Sequence, residues 1–126
     1  MIYNKKISEL NDQLYHNIGR TERVIKAKQF LDENYGSAIH LSAIASAVHS
    51  SKFHLHREFK RHYGVTPSCY LKDKRILEAK KLLSKNSSVT DTCFIVGYDS
   101  LSTFSLLFRR CTGFSPGELK RARSNK

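Results

Sequence analysis

The chain has 126 residues, 40% of them hydrophobic, and 22 Lys and Arg against 11 Asp and Glu, a formal net charge of +11. That length fits one domain with a modest core. No apolar run reaches the ~20 residues that span a bilayer and no signal-peptide pattern opens the chain, so a cytoplasmic protein with no membrane partner is expected. Three cysteines, Cys69, Cys93 and Cys111, an odd number at wide spacings, argue against a disulfide framework and for a reducing compartment.

Charge is unevenly spread. Residues 1–50 hold 6 bases and 5 acids, residues 51–126 hold 16 and 6. Such a balance is expected of a protein that meets a polyanion, usually nucleic acid; a surface kept soluble by charge fits it as well.

The pattern of apolar residues predicts an all-α chain. Ile7, Leu10, Leu14 and Ile18 follow 3–4 spacing, so residues 5–18 read as an amphipathic helix ending at Gly19. Thr21 can cap a second helix that carries Val24, Ala27, Leu31 and Tyr35 and stops at Gly36. A short helix from about Leu41 to Val48 turns Leu41, Ile44, Ala45 and Val48 inward. After a turn at His49 and Ser50, the next runs from about Ser51 to Tyr63 and buries Leu55 and Phe59. Two short helices joined in this way form a helix-turn-helix.

Thr66-Pro67 then opens the longest helix, with Thr as N-cap and Pro at the first helical position. It reaches about Ser84 and points Tyr70, Ile76, Leu77, Ala79, Leu82 and Leu83 toward the core. Asn86-Ser87-Ser88 breaks it. A short helix near 89–96, a turn at Gly97-Tyr98-Asp99 and a helix from about Ser100 to Cys111 make a second helix-turn-helix. A final helix starts at Ser115-Pro116 and runs into the basic tail Lys120, Arg121, Arg123.

The second half repeats the first. Leu55, Phe59, Lys60, Arg61, Gly64, Val65, Thr66 and Pro67 recur 49 residues later as Phe104, Phe108, Arg109, Arg110, Gly113, Phe114, Ser115 and Pro116. The preceding helices match at an offset of 48, so the second turn is one residue longer, as loops in duplicated units drift. Two helix-turn-helix subdomains, about 21–66 and 86–126, are therefore joined by a linker helix at about 67–85, with residues 1–20 as an N-terminal extension. In such a motif the second helix can lie in a DNA major groove while the first crosses the backbone. The 18-residue linker would be about 27 Å long, close to the reach needed for successive grooves roughly 34 Å apart.

From about Leu41 to Arg121 the residues resemble the DNA-binding domain of AraC/XylS-type bacterial transcription regulators. The matching positions are Leu41, Ile44-Ala45, Ser51, Leu55, Phe59-Lys60 and Gly64-Val65-Thr66-Pro67, then Tyr70-Leu71, Arg75, Ala79 and Leu82-Leu83. They continue with Val96-Gly97-Tyr98, Ser100, Phe104, Phe108-Arg109-Arg110 and Gly113-Phe114-Ser115-Pro116. The resemblance implies a seven-helix domain with two such motifs, sequence-specific binding to double-stranded promoter DNA, and RNA polymerase as a neighbour. It implies no cofactor. Relatives commonly carry a sensor or dimerisation domain, so residues 1–20 could be a linker from one, a dimerisation seam, or a helix packed on the domain.

The expected DNA-binding set in the first motif is Ser51, Lys52, Phe53, His56, Arg57, Lys60 and Arg61. By family position Phe53, His56 and Arg57 enter the groove. Arg57 is the leading base reader, since a guanidinium can bond guanine bidentately, worth roughly 1–3 kcal/mol of discrimination; the alternative for it is an intrahelical pair or a phosphate contact. Phe53 could touch a thymine methyl, and His56 could donate to a base or phosphate.

In the second motif the set is Ser100, Leu101, Ser102, Thr103, Ser105, Leu106, Arg109 and Arg110. At the groove positions Leu101, Ser102, Thr103 and Leu106 many relatives place longer polar or basic side chains. Leu101 and Leu106 either pack on thymine methyls, or the helix positions the complex through Ser105, Arg109 and Arg110, contacts that carry no sequence information. The first helix is expected to specify and the second mostly to anchor. Thr92-Cys93 also departs from the family's Ile-Ala, at an expected modest stability cost. Arg75 is expected to be a structural ion-pair partner of Asp99 or Glu78.

Other chemistry is disfavoured. His54 and His56, two apart on a helix, face different directions, and no cysteine pair has the spacing of a zinc site. No phosphate-binding glycine loop or catalytic triad context is present, so an enzyme is not expected. The competing function is a basic helical module that binds an acidic protein without sequence-specific DNA binding.

Overall fold

The computed structural model describes residues 19–124. Among them all regular structure is helical: α1 covers 19–34, followed by α2 (Leu41–Ala47), α3 (Lys52–Tyr63), α4 (Pro67–Ser84), α5 (Val89–Ile95), α6 (Leu101–Thr112) and α7 (Pro116–Ser124). The amphipathic helix expected over residues 5–18 lies outside the described residues. The chain divides into two compact units, one holding 19–31 and 40–67, the other 32–39 and 68–124.

In the first unit, Val24, Ala27 and Leu31 of α1 are buried, as are Ile44, Ala45 and Val48 around α2 and Leu55 and Phe59 of α3. Their spacings are those of single helix faces. Gly19 and Arg20 are already helical, so Gly19 does not end a helix and Thr21 is not an N-cap. A helical glycine costs about 1 kcal/mol relative to alanine, a cost that burial of the Val24–Ala27–Leu31 face can outweigh.

In the second unit Ile76, Ala79 and Leu83 of α4 form one core with Cys93, Val96, Phe104 and Phe108. Leu77, expected inward, is 47% exposed. The stripe through 76, 79 and 83 leaves the next residue about 100° round the helix, on the solvent side. Phe59, Phe104 and Phe108 are fully buried, each worth roughly 1.5–3 kcal/mol of transfer free energy.

Arg75 is structural, but it binds carbonyls and not a carboxylate. Its Nε donates to the Tyr35 carbonyl at 2.7 Å and a terminal nitrogen to the Ser37 carbonyl at 2.9 Å. Its guanidinium also lies 5.2 Å from the Tyr98 ring centre. Carbonyls beyond a helix end lack intrahelical donors, and an arginine can satisfy two at once. Glu78 is engaged by Lys74 at 3.3 Å and Lys81 at 3.1 Å, which hold its carboxyl below the usual range, the Lys81 hydrogen bond most. The Tyr70 hydroxyl donates to Asp32 in the same unit. Gly36 lies past the end of α1, where a Cβ would come within 2.6 Å of the Ile95 carbonyl oxygen.

Candidate nucleic-acid interface

The two recognition helices are capped and closed alike. Ser51 caps α3 by accepting the His54 N–H at 3.1 Å, and Ser100 caps α6 by accepting the Thr103 N–H at 3.3 Å. Each cap satisfies a backbone donor that the first turn leaves unpaired. Gly64 and Gly113 close the same helices at φ 80 and 85, with N–H bonds back to Lys60 and Arg109.

The turns before the two helices also correspond. The Ser50 N–H donates to the Ala45 carbonyl at 2.8 Å, the Tyr98 N–H to the Cys93 carbonyl at 3.0 Å. His49 and Gly97 take positive φ at the same step, 55 and 102. The offset of 48 thus holds through Tyr98, and the caps are 49 apart. Asp99 is the extra residue.

Thr92, fully buried, donates its hydroxyl to the Ser88 carbonyl at 2.7 Å, which makes the departure from Ile a satisfied one. Cys93 beside it is buried, and that burial pushes its thiol above the ordinary range, with Asp99 adding to the effect.

On α3, burial of Leu55 and Phe59 turns the opposite face outward. Ser51, Lys52, Phe53, His56, Arg57, Lys60 and Arg61 are all exposed, Phe53 most, at 79%. Lys52 Nζ stands 6.0 Å from the Phe53 ring centre. Arg57 has no ion pair among the described residues. Arg61 also borders a cleft with Arg20, Thr21, Glu58 and His62. Glu58, half-buried, is the one acid on α3.

On α6, Leu101, Ser102, Thr103, Leu106, Arg109 and Arg110 are exposed, and Ser100 and Ser105 are half-buried. That helix carries no acid. The cation pair in the last turn of each helix also faces the negative end of the helix dipole, so these residues have a structural use besides any ligand. Both cap hydroxyls accept from the backbone and keep a proton to donate. Each face therefore offers donors and cations but almost no carboxylate, which suits phosphate oxygens and base acceptors.

Some exposed apolar surface lies outside the expected DNA-binding set. Phe94 and Ile95 on α5 are 54% and 52% exposed, and Phe114 is 55% exposed. The offset of 48 sets Phe94 and Ile95 against Ser46 and Ala47 of α2, a contrast visible in the repeat itself. Cys69 and Cys111 are exposed, and none of the three cysteines forms a disulfide. No helix among the described residues is long and apolar enough to cross a membrane.

Residues 44–122 match the family profile described as a helix-turn-helix domain. The transcriptional activator RhaS of Escherichia fergusonii is 38% identical over 95 residues, 75% of this chain and 34% of that protein. The curated relatives extend well past the match: the chain spans 34% of that activator and 41% of its Enterobacter counterpart. Among solved structures, an AraC-type transcriptional regulator from Chromobacterium violaceum superposes with a TM-score of 0.74 at 26% identity, over 85% of this chain and 96% of that one. The DNA-binding domain of AdpA, solved with a target DNA, has a TM-score of 0.77 at 24% identity over 82% and 95%, a likeness of fold alone. With α3 through α6 and most of α2 inside the matched span, the chain belongs to the AraC/XylS-type family of helix-turn-helix transcription regulators.

Proposed function

We propose that this chain is a sequence-specific double-stranded DNA-binding unit of a transcription regulator, without a catalytic step, in which α3 and α6 each enter a major groove, one after the other along the promoter. The observation that carries the reading is the repeated pairing of a serine-capped 12-residue helix with a buried aromatic or aliphatic face and an exposed basic one. In this reading Arg57 reads guanine, Phe53 and His56 touch neighbouring bases, and Ser51, Lys52, Lys60 and Arg61 bond phosphates. On the other helix Ser100, Ser102, Thr103, Ser105, Arg109 and Arg110 hold the backbone. Hydrogen-bond readout is concentrated on α3, and α6 serves mainly as the anchor.

RNA polymerase bound beside the site is the proposed protein partner. A sensor or dimerisation domain N-terminal to this unit, as part of a longer protein, would supply control. Domain boundaries at about 21–66, 67–85 and 86–126 belong to the same proposal.

A salt titration against duplex DNA tests it. Six to ten phosphate contacts would weaken affinity by about 10³–10⁵ between about 50 and 200 mM salt, with a preferred sequence standing above that background. Binding with no sequence preference at any salt would favour the basic protein-interaction module instead.

A further inference from the structure

Each outward residue of α3 has a counterpart on α6, 49 positions on, and the differences between them have a pattern. The buried pair is kept as Leu55/Phe59 and Phe104/Phe108, and the closing cations as Lys60-Arg61 and Arg109-Arg110. At two exposed positions a cation becomes leucine: Lys52 is matched by Leu101 and Arg57 by Leu106. Leu106 lies two residues from both Phe104 and Phe108, about 200° round the helix from each, so it points away from the core. It is 53% exposed, and Leu101 in the first turn is 42% exposed.

One exposed leucine is ordinary on a protein surface. Two at the positions equivalent to an exposed lysine and the leading base reader, on a helix whose other cations persist, call for a ligand that rewards apolar contact. Resting on the DNA-binding reading above, we propose that Leu106, assisted by Leu101, reads thymine through its C5 methyl and gives the half-site under α6 a T·A preference.

The major groove offers donors, acceptors and one apolar group, the thymine methyl. Against a guanine, cytosine or adenine edge, a leucine would strip water from a donor or acceptor and return no hydrogen bond. Such an unpaired polar group is costly. Against thymine it buries a methyl instead. The same side chain therefore selects for T·A and against the other pairs. α6 anchors through Arg109 and Arg110 and still discriminates, by a contact that needs no hydrogen bond.

The test selects binding sites from random duplexes with the whole chain, then replaces each thymidine of the selected site with deoxyuridine. That change deletes the C5 methyl and leaves every hydrogen-bonding group in place. At one or more thymidines the affinity is expected to fall about fourfold, the worth of one buried methyl. Leu106→Ala, with its circular dichroism melt checked against the parent, is expected to lose the deoxyuridine penalty at one or more of those thymidines. Neutral deoxyuridine at every position overturns the inference, as does sensitivity that persists unchanged in Leu106→Ala and Leu101→Ala. Either result leaves the DNA-binding reading standing. Failure to select any site overturns both.

Discussion

At Gly97 two separate demands fall on one residue. Its φ of 102 is a conformation that L side chains rarely adopt, and an added Cβ would lie 2.8 Å from the Tyr35 carbonyl oxygen and 2.9 Å from the Arg75 guanidinium. The equivalent turn of the first motif accepts His49 at φ 55, so a left-handed turn alone does not require glycine there. The close approach of the Tyr35 carbonyl and of Arg75 does. Gly97→Ala is expected to cost about 2–4 kcal/mol, combining left-handed strain of roughly 1–2 with a weakened hydrogen bond from Arg75. His49→Gly should change stability by less than about 1 kcal/mol. Thermal melts of the two variants check this; a loss of only about 1–2 kcal/mol in Gly97→Ala would show that φ alone, and not the contacts with Tyr35 and Arg75, sets the cost.

The segment from α5 to the start of α6 gathers two groups whose protons are held more tightly folded than unfolded. Burial pushes the Cys93 thiol up, and burial pushes the Tyr98 phenol up against a smaller opposing pull from Arg75. Raised values mean that the stabilising contribution is complete at neutral pH. It is lost as pH climbs past the ordinary thiol and phenol values of about 8.5 and 10 toward the folded ones. Stability is therefore expected to fall through the alkaline range, and Tyr98→Phe, which keeps the ring under Arg75, should fall less steeply. Chemical denaturation at a series of pH values measures the slopes; an identical slope in the variant would remove Tyr98 from the account. Much of this element was legible in the sequence. The buried pairs and the longer second turn follow from spacing and side-chain chemistry. What could not be read were contacts set by tertiary approach: Arg75 choosing carbonyls over a carboxylate, the Ile95 carbonyl beside Gly36, and which side of α4 the neighbouring α5 and α6 leave for Leu77. A periodic apolar pattern locates a stripe only to within about one residue, or 100°. Of the candidate interface, the outward face of each recognition helix was legible for the same reason, because it is what the core leaves over.

Across the whole molecule the same scaffold is used twice and charged once more heavily than a fold requires. The surplus of bases lies from residue 51 onward, and the exposed cations of α3 and α6 fall into two kinds by position. Arg57 stands mid-helix, directly opposite Leu55 and Phe59, where the groove floor would be. Lys60, Arg61, Arg109 and Arg110 stand in the last turns, where the helix would meet the phosphate backbone in the proposed complex. These positions carry different thermodynamic signatures. Arg110→Ala is expected to weaken binding to every sequence alike and to reduce the slope of log affinity against log salt by about 0.9, one phosphate's worth of released counterions. Arg57→Ala should leave that slope nearly unchanged while costing about 1–3 kcal/mol at a single base pair and relaxing the preference there. Affinities measured at several salt concentrations, on a selected site and on its single-base variants, separate the two behaviours. If Arg57→Ala lowers the salt slope and spares the base preference, Arg57 is a phosphate contact and α3 must read its bases through Phe53 and His56.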